Sequence, residues 1–207
     1  MGYITYITPM EINKNIAAIT TKAAKDLAEN PSAAISSNPY TYTANDPNYR
    51  NLVNLGPEAV PIIEESIVTS TKDGLREQIL AIAAEEITKT NLKVAYSWST
   101  GKQWVDAWHK HLLTVPGEFD RITKSGLTDA DKNNSIIRLG IPALPYLVES
   151  IGNGHTELAP SLEVLLSGIP DMKYSGNPQT WAKDHDDDFD YIRDWVVDAG
   201  NQSLLGN

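Results

Sequence analysis

A segment of thirteen residues occurs twice in this chain, and the repeat limits the folds that the chain can adopt. Residues 55–67 are LGPEAVPIIEESI and residues 139–151 are LGIPALPYLVESI, so seven of the thirteen aligned positions are identical. A segment that returns after 84 residues is typical of stacked helical repeats, because one helical unit cannot bury its apolar face alone. The repeat therefore predicts helices that build a surface more often than a catalytic centre.

Other features follow the repeated segment in the same order in both halves. Each copy precedes a stretch whose apolar residues recur at helical spacing, 75–87 in the first half and 158–169 in the second. Tryptophans come next at matching places, Trp98 with Trp181 and Trp108 with Trp195. We therefore predict a single all-α domain over residues 1–207 that contains two related repeat units, 9–112 and 113–207.

Most of the remaining chain is also predicted to be helical. Apolar spacing predicts an amphipathic helix over 11–29 and a helical segment over about 116–138. A short helix over 47–54 is expected to stop at Gly56, because glycine suits a left-handed cap. Residues 31–47 contain three prolines and are predicted to form a loop. The prolines within each copy fit a first helical turn, where the amides have no partner to lose.

The repeated segment also carries a family resemblance. Its pattern Leu-Gly-x-x-Ala-hydrophobic-Pro, followed by two apolar helical faces, resembles the HEAT repeat and the wider armadillo-like group. The resemblance covers residues 48–90 and 128–170, less than half of the chain. It implies pairs of antiparallel helices stacked as an α-α superhelix, and it implies protein or ligand binding without a shared chemistry. The long period and the tryptophans depart from an ordinary HEAT array and suggest two helix pairs in each unit.

Composition and charge exclude several kinds of partner and site. The chain has 27 acidic and 17 basic residues, a net charge of −10 and no basic run, so we expect no nucleic-acid partner. It contains no cysteine, which excludes disulfides, thiolate metal ligands and a cysteine nucleophile. No apolar stretch approaches the roughly 18 residues of a membrane span, so we expect no membrane insertion. The Asn-, Thr-, Ser-, Tyr- and Trp-rich composition suits an exported bacterial protein, outside the cell or at its surface, with a cytoplasmic protein as the alternative.

Two polar clusters are candidates for metal chemistry, and each has a simpler structural interpretation. Residues 184–190 contain five aspartates and one histidine, which could hold an adventitious divalent cation. The Gly and Glu that an EF-hand loop needs are replaced by Phe189 and Trp195, so acidic residues at a helix start are the favoured interpretation. His109 and His111 are two residues apart and cannot share one helix face, so we expect both at the surface.

Acidic pairs and tryptophans could together form a carbohydrate site. The pairs Glu64-Glu65 and Glu85-Glu86 could supply the two carboxylates of a glycoside hydrolase, although acid pairs on exposed helix faces are ordinary. The tryptophans could stack on sugar rings, but their recurrence in both halves favours packing between helices. These residues therefore support catalysis only weakly.

We interpret the chain as a non-enzymatic binding or scaffold module whose partner is a protein or a peptide. No nucleophile elbow, phosphate-binding loop, dinucleotide glycine motif or zinc-protease pair is present, and we predict neither a cofactor nor a specific metal site. Tyr40, Tyr42 and Trp98 are the predicted ligand-contacting residues. The alternative is a carbohydrate-binding or carbohydrate-cleaving protein that uses exposed tryptophans and acidic residues.

Overall fold

The computed structural model describes residues 9–29, 40–43 and 46–205, and these ranges contain helices and turns but no strand. In chain order the α-helices are α1 (Pro9–Glu29), α2 (Tyr40–Thr43), α3 (Pro47–Val53), α4 (Val60–Val68), α5 (Leu75–Thr88), α6 (Leu92–Tyr96), α7 (Gly101–Thr123), α8 (Asp129–Leu139), α9 (Leu144–Gly152), α10 (Ala159–Leu166), α11 (Pro178–Asp184) and α12 (Asp190–Leu205). The prediction of an all-α fold is confirmed. None of the described helices is long and apolar enough to cross a lipid bilayer.

The helices form two compact units that alternate along the chain. Unit 1 contains Met1–Ile87 and Ser97–Val105, and unit 2 contains Thr88–Tyr96 and Asp106–Asn207. In unit 1, α1 packs against α3 and α4. In unit 2, α9 is the central helix and contacts α10, α11 and α12, while α8 packs against α10. Each unit buries its own apolar core, with the isoleucines of α1 and α4 in unit 1 and the leucines of α9 and α10 in unit 2.

The two copies of the repeated segment have the same backbone geometry. Gly56 and Gly140 both have a φ of 76° and a ψ of −165°, a region that glycine alone adopts without strain. In each copy a single 3₁₀ turn follows, and it leads into an α-helix of nine residues with a proline in its first turn. The Leu-Gly pair thus recurs in the sequence because the same turn begins both α4 and α9.

Two sequence-based boundaries are wrong. The predicted loop 31–47 includes the helical turn α2, and its residues 31–39, 44 and 45 lie outside the described part of the chain. The predicted helical segment 116–138 is divided, since α7 ends at Thr123 and α8 begins at Asp129. A new helix starts there because the Thr128 hydroxyl oxygen accepts the Asp131 N–H at 3.2 Å and so caps α8.

His111 is buried in unit 2 and supports the turn before α9. Only 8% of this residue is exposed, so the prediction that both histidines lie at the surface is wrong. Its Nε2 donates a hydrogen bond to the Leu139 carbonyl oxygen at 2.9 Å, directly before Gly140. Burial lowers the pKa of the His111 imidazole, and the hydrogen bond to Leu139 opposes burial only in part.

Because the His111 imidazole is buried, we expect the protein to be less stable in mild acid. Because the folded pKa of His111 is lowered, its stabilising contribution is present above the unfolded pKa of about 6.5 and is lost as the pH falls through the folded value. The substitution His111→Gln keeps an N–H donor but does not titrate. We expect it to reduce the stability loss between about pH 7 and about pH 5. Urea denaturation at the two pH values measures this difference, and an unchanged loss would contradict it. His109→Gln, on the same helix and half-buried, is the matched control.

Candidate functional site

The three predicted contact residues differ in their exposure to solvent. Tyr40 lies in α2 with 46% of its surface exposed. Tyr42 belongs to the same helix, but its side chain is outside the described part of the molecule. Trp98 is only 4% exposed, and its Nε1 donates to Glu85 Oε1 at 2.8 Å. Trp98 is thus part of the core of unit 1, and the prediction that it lies at the surface is wrong.

All five tryptophans are buried, so none of them forms an open platform for a sugar ring. Trp108 and Trp195, which the sequence aligns as counterparts in the two repeat units, both lie in compact unit 2, where their ring centroids are 5.8 Å apart. Trp181 stacks on His185 with 4.3 Å between the ring centroids. The carbohydrate hypothesis requires exposed tryptophan rings, and these rings are buried.

The acidic pair Glu85-Glu86 connects helices within unit 1. Glu85 is buried and accepts the indole N–H of Trp98, which corrects the expectation of an exposed pair. Glu86 accepts the Tyr49 hydroxyl at 2.7 Å and Arg50 NH1 at 2.8 Å, and it so connects α5 to α3. Burial, together with the neighbouring Glu86 carboxylate, raises the pKa of the Tyr49 hydroxyl. Both carboxylates therefore already accept hydrogen bonds from side chains of unit 1.

The acidic segment 184–190 occupies the end of α11, a 3₁₀ turn and the start of α12. His185 Nδ1 lies 2.6 Å from Asp188 Oδ2, an ion pair when the imidazole is protonated. Throughout the part of the chain that the structure describes, no group of three or more acidic or histidine side chains is arranged to hold a metal ion. The arrangement fits the interpretation of acidic residues near a helix start.

An open cavity in unit 1 is a candidate binding site. Its volume is about 620 Å³, and it lies beside the loop between α4 and α5. We call it the loop cavity, and its lining residues are Thr20, Ser66, Thr69, Ser70, Thr71, Lys72, Gly74, Leu75, Arg76 and Glu77. Seven of the ten lining residues carry a hydroxyl or a cationic group, which suits recognition of a polar group.

Glu77 organises the loop that lines the cavity. It is 2% exposed and accepts three hydrogen bonds, from Ser70 Oγ at 2.8 Å, Gly74 N at 2.8 Å and Arg76 NH1 at 3.0 Å. Gly74 directly precedes α5, so Glu77 reaches back to cap its own helix, as the third residue does in a capping box. Burial by itself would raise the pKa of the Glu77 carboxyl, but the donated hydrogen bonds outweigh it, and the pKa is lowered.

The first turn of α7 fixes the same loop from its other side. A β-carbon at Gly101 would lie 2.5 Å from Glu77 Cβ, so the two helices meet at a point where only glycine fits. Asp73 Oδ1 accepts the Lys102 N–H at 3.2 Å, and Gln78 Nε2 donates to the Ser99 carbonyl oxygen. The cavity wall is therefore held by rigid elements before any ligand arrives.

Replacing the buried carboxylate tests this organisation. We expect Glu77→Gln to lower the free energy of unfolding by about 2 kcal/mol near neutral pH. The NH₂ group of the new amide would point at one of the donors from which the carboxylate now accepts a hydrogen bond. The lowered pKa means that the carboxylate stabilises the fold above its unfolded pKa, about 4.3, and that this contribution is lost as the pH falls through the folded value. Urea denaturation curves of the two proteins should therefore converge in acid. Curves that stay parallel would contradict the prediction, and Glu58→Gln, an exposed acid in unit 1, is the control.

Sequence reasoning missed the loop cavity and a buried asparagine in unit 2. Arg76 and Glu77 follow one another in a helix, and no spacing pattern distinguishes them from solvated charges. Asn133 lies in α8, 6% exposed, and its amide joins α8 to the start of α10. No sequence signal identifies it as a buried cap, because polar residues are common on helix faces.

Comparisons of this chain with known protein families, with curated proteins and with solved structures find no match. The repeated turn and the loop cavity are therefore the basis on which a function is inferred.

Proposed function

We propose that this protein is a non-enzymatic binding or scaffold module built from two HEAT-like or armadillo-like units. The observation that supports the proposal best is the identical geometry of the turns at Gly56 and Gly140. In helical repeat proteins such units build surfaces for other molecules. The sequence bounds of the repeat units, 9–112 and 113–207, stay part of this proposal.

The roles of the candidate catalytic groups favour binding over catalysis. Glu85 and Glu86 hold Trp98 and Tyr49, so their oxygens are engaged in packing contacts. The tryptophans are core residues. The loop cavity lies at the surface of unit 1, and we propose that a protein or peptide partner contacts the module there.

Site-specific photo-cross-linking tests the proposal. A benzophenone amino acid is placed at Thr71, an exposed lining residue, in the full chain, and at Lys110, an exposed residue of unit 2, as the matched control. The proteins are irradiated with an extract of the cells that produce them. We expect one discrete protein adduct from position 71 and none from position 110.

Two results would contradict the proposed function. One is an equal set of adducts from both positions, which indicates non-specific contact. The other is release of reducing sugar ends from polysaccharides by the purified protein, lost on Glu64→Gln or Glu65→Gln, which would establish the carbohydrate-cleaving alternative.

A further inference from the structure

The lining of the loop cavity indicates which chemical group of a partner it would hold. Glu77 is already surrounded by donors from Ser70, Gly74 and Arg76, and its pKa is lowered although the residue is buried. The loop therefore stabilises a negative charge strongly enough to overcome burial. The start of α5 is not itself the site, because the Gly74 N–H is occupied by Glu77.

More positive charge lines the cavity than Glu77 neutralises. Arg76 NH1 contacts Glu77 and the Ser66 carbonyl oxygen at 3.2 Å, while a guanidinium carries five N–H donors in all. Lys72 adds an exposed ammonium group with three donors. Lys72 and Arg76 against Glu77 leave one excess positive charge on the lining, in a chain whose net charge is −10.

The repeat does not explain these charges. Leu75 in the first copy corresponds to Leu158 in the second, and both belong to the apolar face of their helix. The positions that match Lys72, Arg76 and Glu77 in the second copy are His155, Ala159 and Pro160. The second copy therefore lacks this group of charges, which is specific to the first copy.

We propose that the loop cavity binds an oxyanion, a carboxylate or phosphate group carried by the partner. Lys72 supplies the main charge, and Arg76 supplies directed donors from the wall. This inference depends on the proposed binding function and adds the chemical class of the group that is recognised.

Nuclear magnetic resonance titration of the ¹⁵N-labelled full chain tests the inference. Sodium phosphate and sodium acetate are added separately, with sodium chloride at equal ionic strength as the reference. We expect saturable shifts of the amides of residues 66–77 with at least one oxyanion. Phosphate alone would identify a phosphate group as the ligand, and acetate alone would identify a carboxylate. Lys72→Met should weaken the affinity roughly threefold to tenfold, and Lys110→Met, an equal change of charge in unit 2, should not.

Two outcomes would overturn the inference. Shifts that are the same in Lys72→Met and in the unsubstituted protein would indicate an adventitious ion only. An absence of saturable shifts would exclude oxyanion binding. In either case an adduct from position 71 in the cross-linking experiment would still support the proposed function, so the two failures are distinguishable. Lys72 is exposed, so we expect its variant to fold, and circular dichroism is the measurement that checks this.

Discussion

Replacing Gly140 with alanine is expected to lower the free energy of unfolding by about 3–5 kcal/mol, the largest effect of any single methyl group that we predict. Two costs add. The backbone conformation, with φ at 76°, strains any residue that has a β-carbon. That β-carbon would also lie 2.5 Å from the Thr88 carbonyl oxygen and 2.7 Å from Thr90 Cγ2, and backbone cannot move aside cheaply. Thermal and urea denaturation of the variant measure the loss.

Two further glycine variants make this prediction specific. Gly56→Ala should cost about 2 kcal/mol, because its backbone has the same φ and ψ as that of Gly140. Gly117→Ala should be neutral or stabilise the protein by up to about 1 kcal/mol, since it lies within α7 and an added β-carbon meets nothing within 4 Å. Equal effects at all three positions would show that the turns have no special backbone requirement.

Asn133→Leu is expected to lower the free energy of unfolding by about 3 kcal/mol. The Asn133 side chain acts as an N-terminal cap for a helix that it does not belong to. Its Oδ1 accepts the Ser161 N–H at 2.9 Å, and its Nδ2 donates to the Glu157 carbonyl oxygen at 2.9 Å. Leucine has a similar size, so the substitution leaves the buried Ser161 N–H in α10 without its acceptor while the packing volume is nearly kept.

The neighbouring asparagine gives the control for this variant. Asn134 lies on the same helix and is exposed, so Asn134→Leu should change the free energy of unfolding by less than about 0.5 kcal/mol. Hydrogen exchange provides a second measurement, since the Ser161 amide should exchange faster in Asn133→Leu than in the unsubstituted protein. Similar denaturation curves for the two variants would contradict a capping role for Asn133.

The elements that the sequence predicts well are those set by local chemistry. The helices α1, α3, α4 and α9 follow from apolar spacing and from prolines in first turns, and their ends agree with the structure to within a few residues. The turn at Gly56 was predictable because glycine removes a steric cost that other residues cannot avoid. Apolar spacing, first-turn prolines and turn glycines act on residues close in the sequence, so they can be recognised from the sequence alone.

The features that the sequence does not reveal depend on contacts between distant residues. Trp98 and His111 were expected at the surface, but both are buried. Trp98 donates a hydrogen bond to Glu85, and His111 donates one to the Leu139 carbonyl oxygen. Each bond offsets the cost of burying a polar N–H group, and each joins residues that are distant in the sequence. The cap that Asn133 provides spans 28 residues to Ser161. No periodicity encodes such pairings, because they arise only when helices pack.

Measured backbone torsion angles of residues 55–68 and 139–152 in solution test the central claim most directly, that one structural segment is used twice. Scalar couplings and ¹³C chemical shifts report these angles. The account predicts a positive φ at both Gly56 and Gly140 and helical shifts that begin at the same point in each copy, near Val60 and Leu144. A negative φ at either glycine, or extended shifts in either segment, would contradict it.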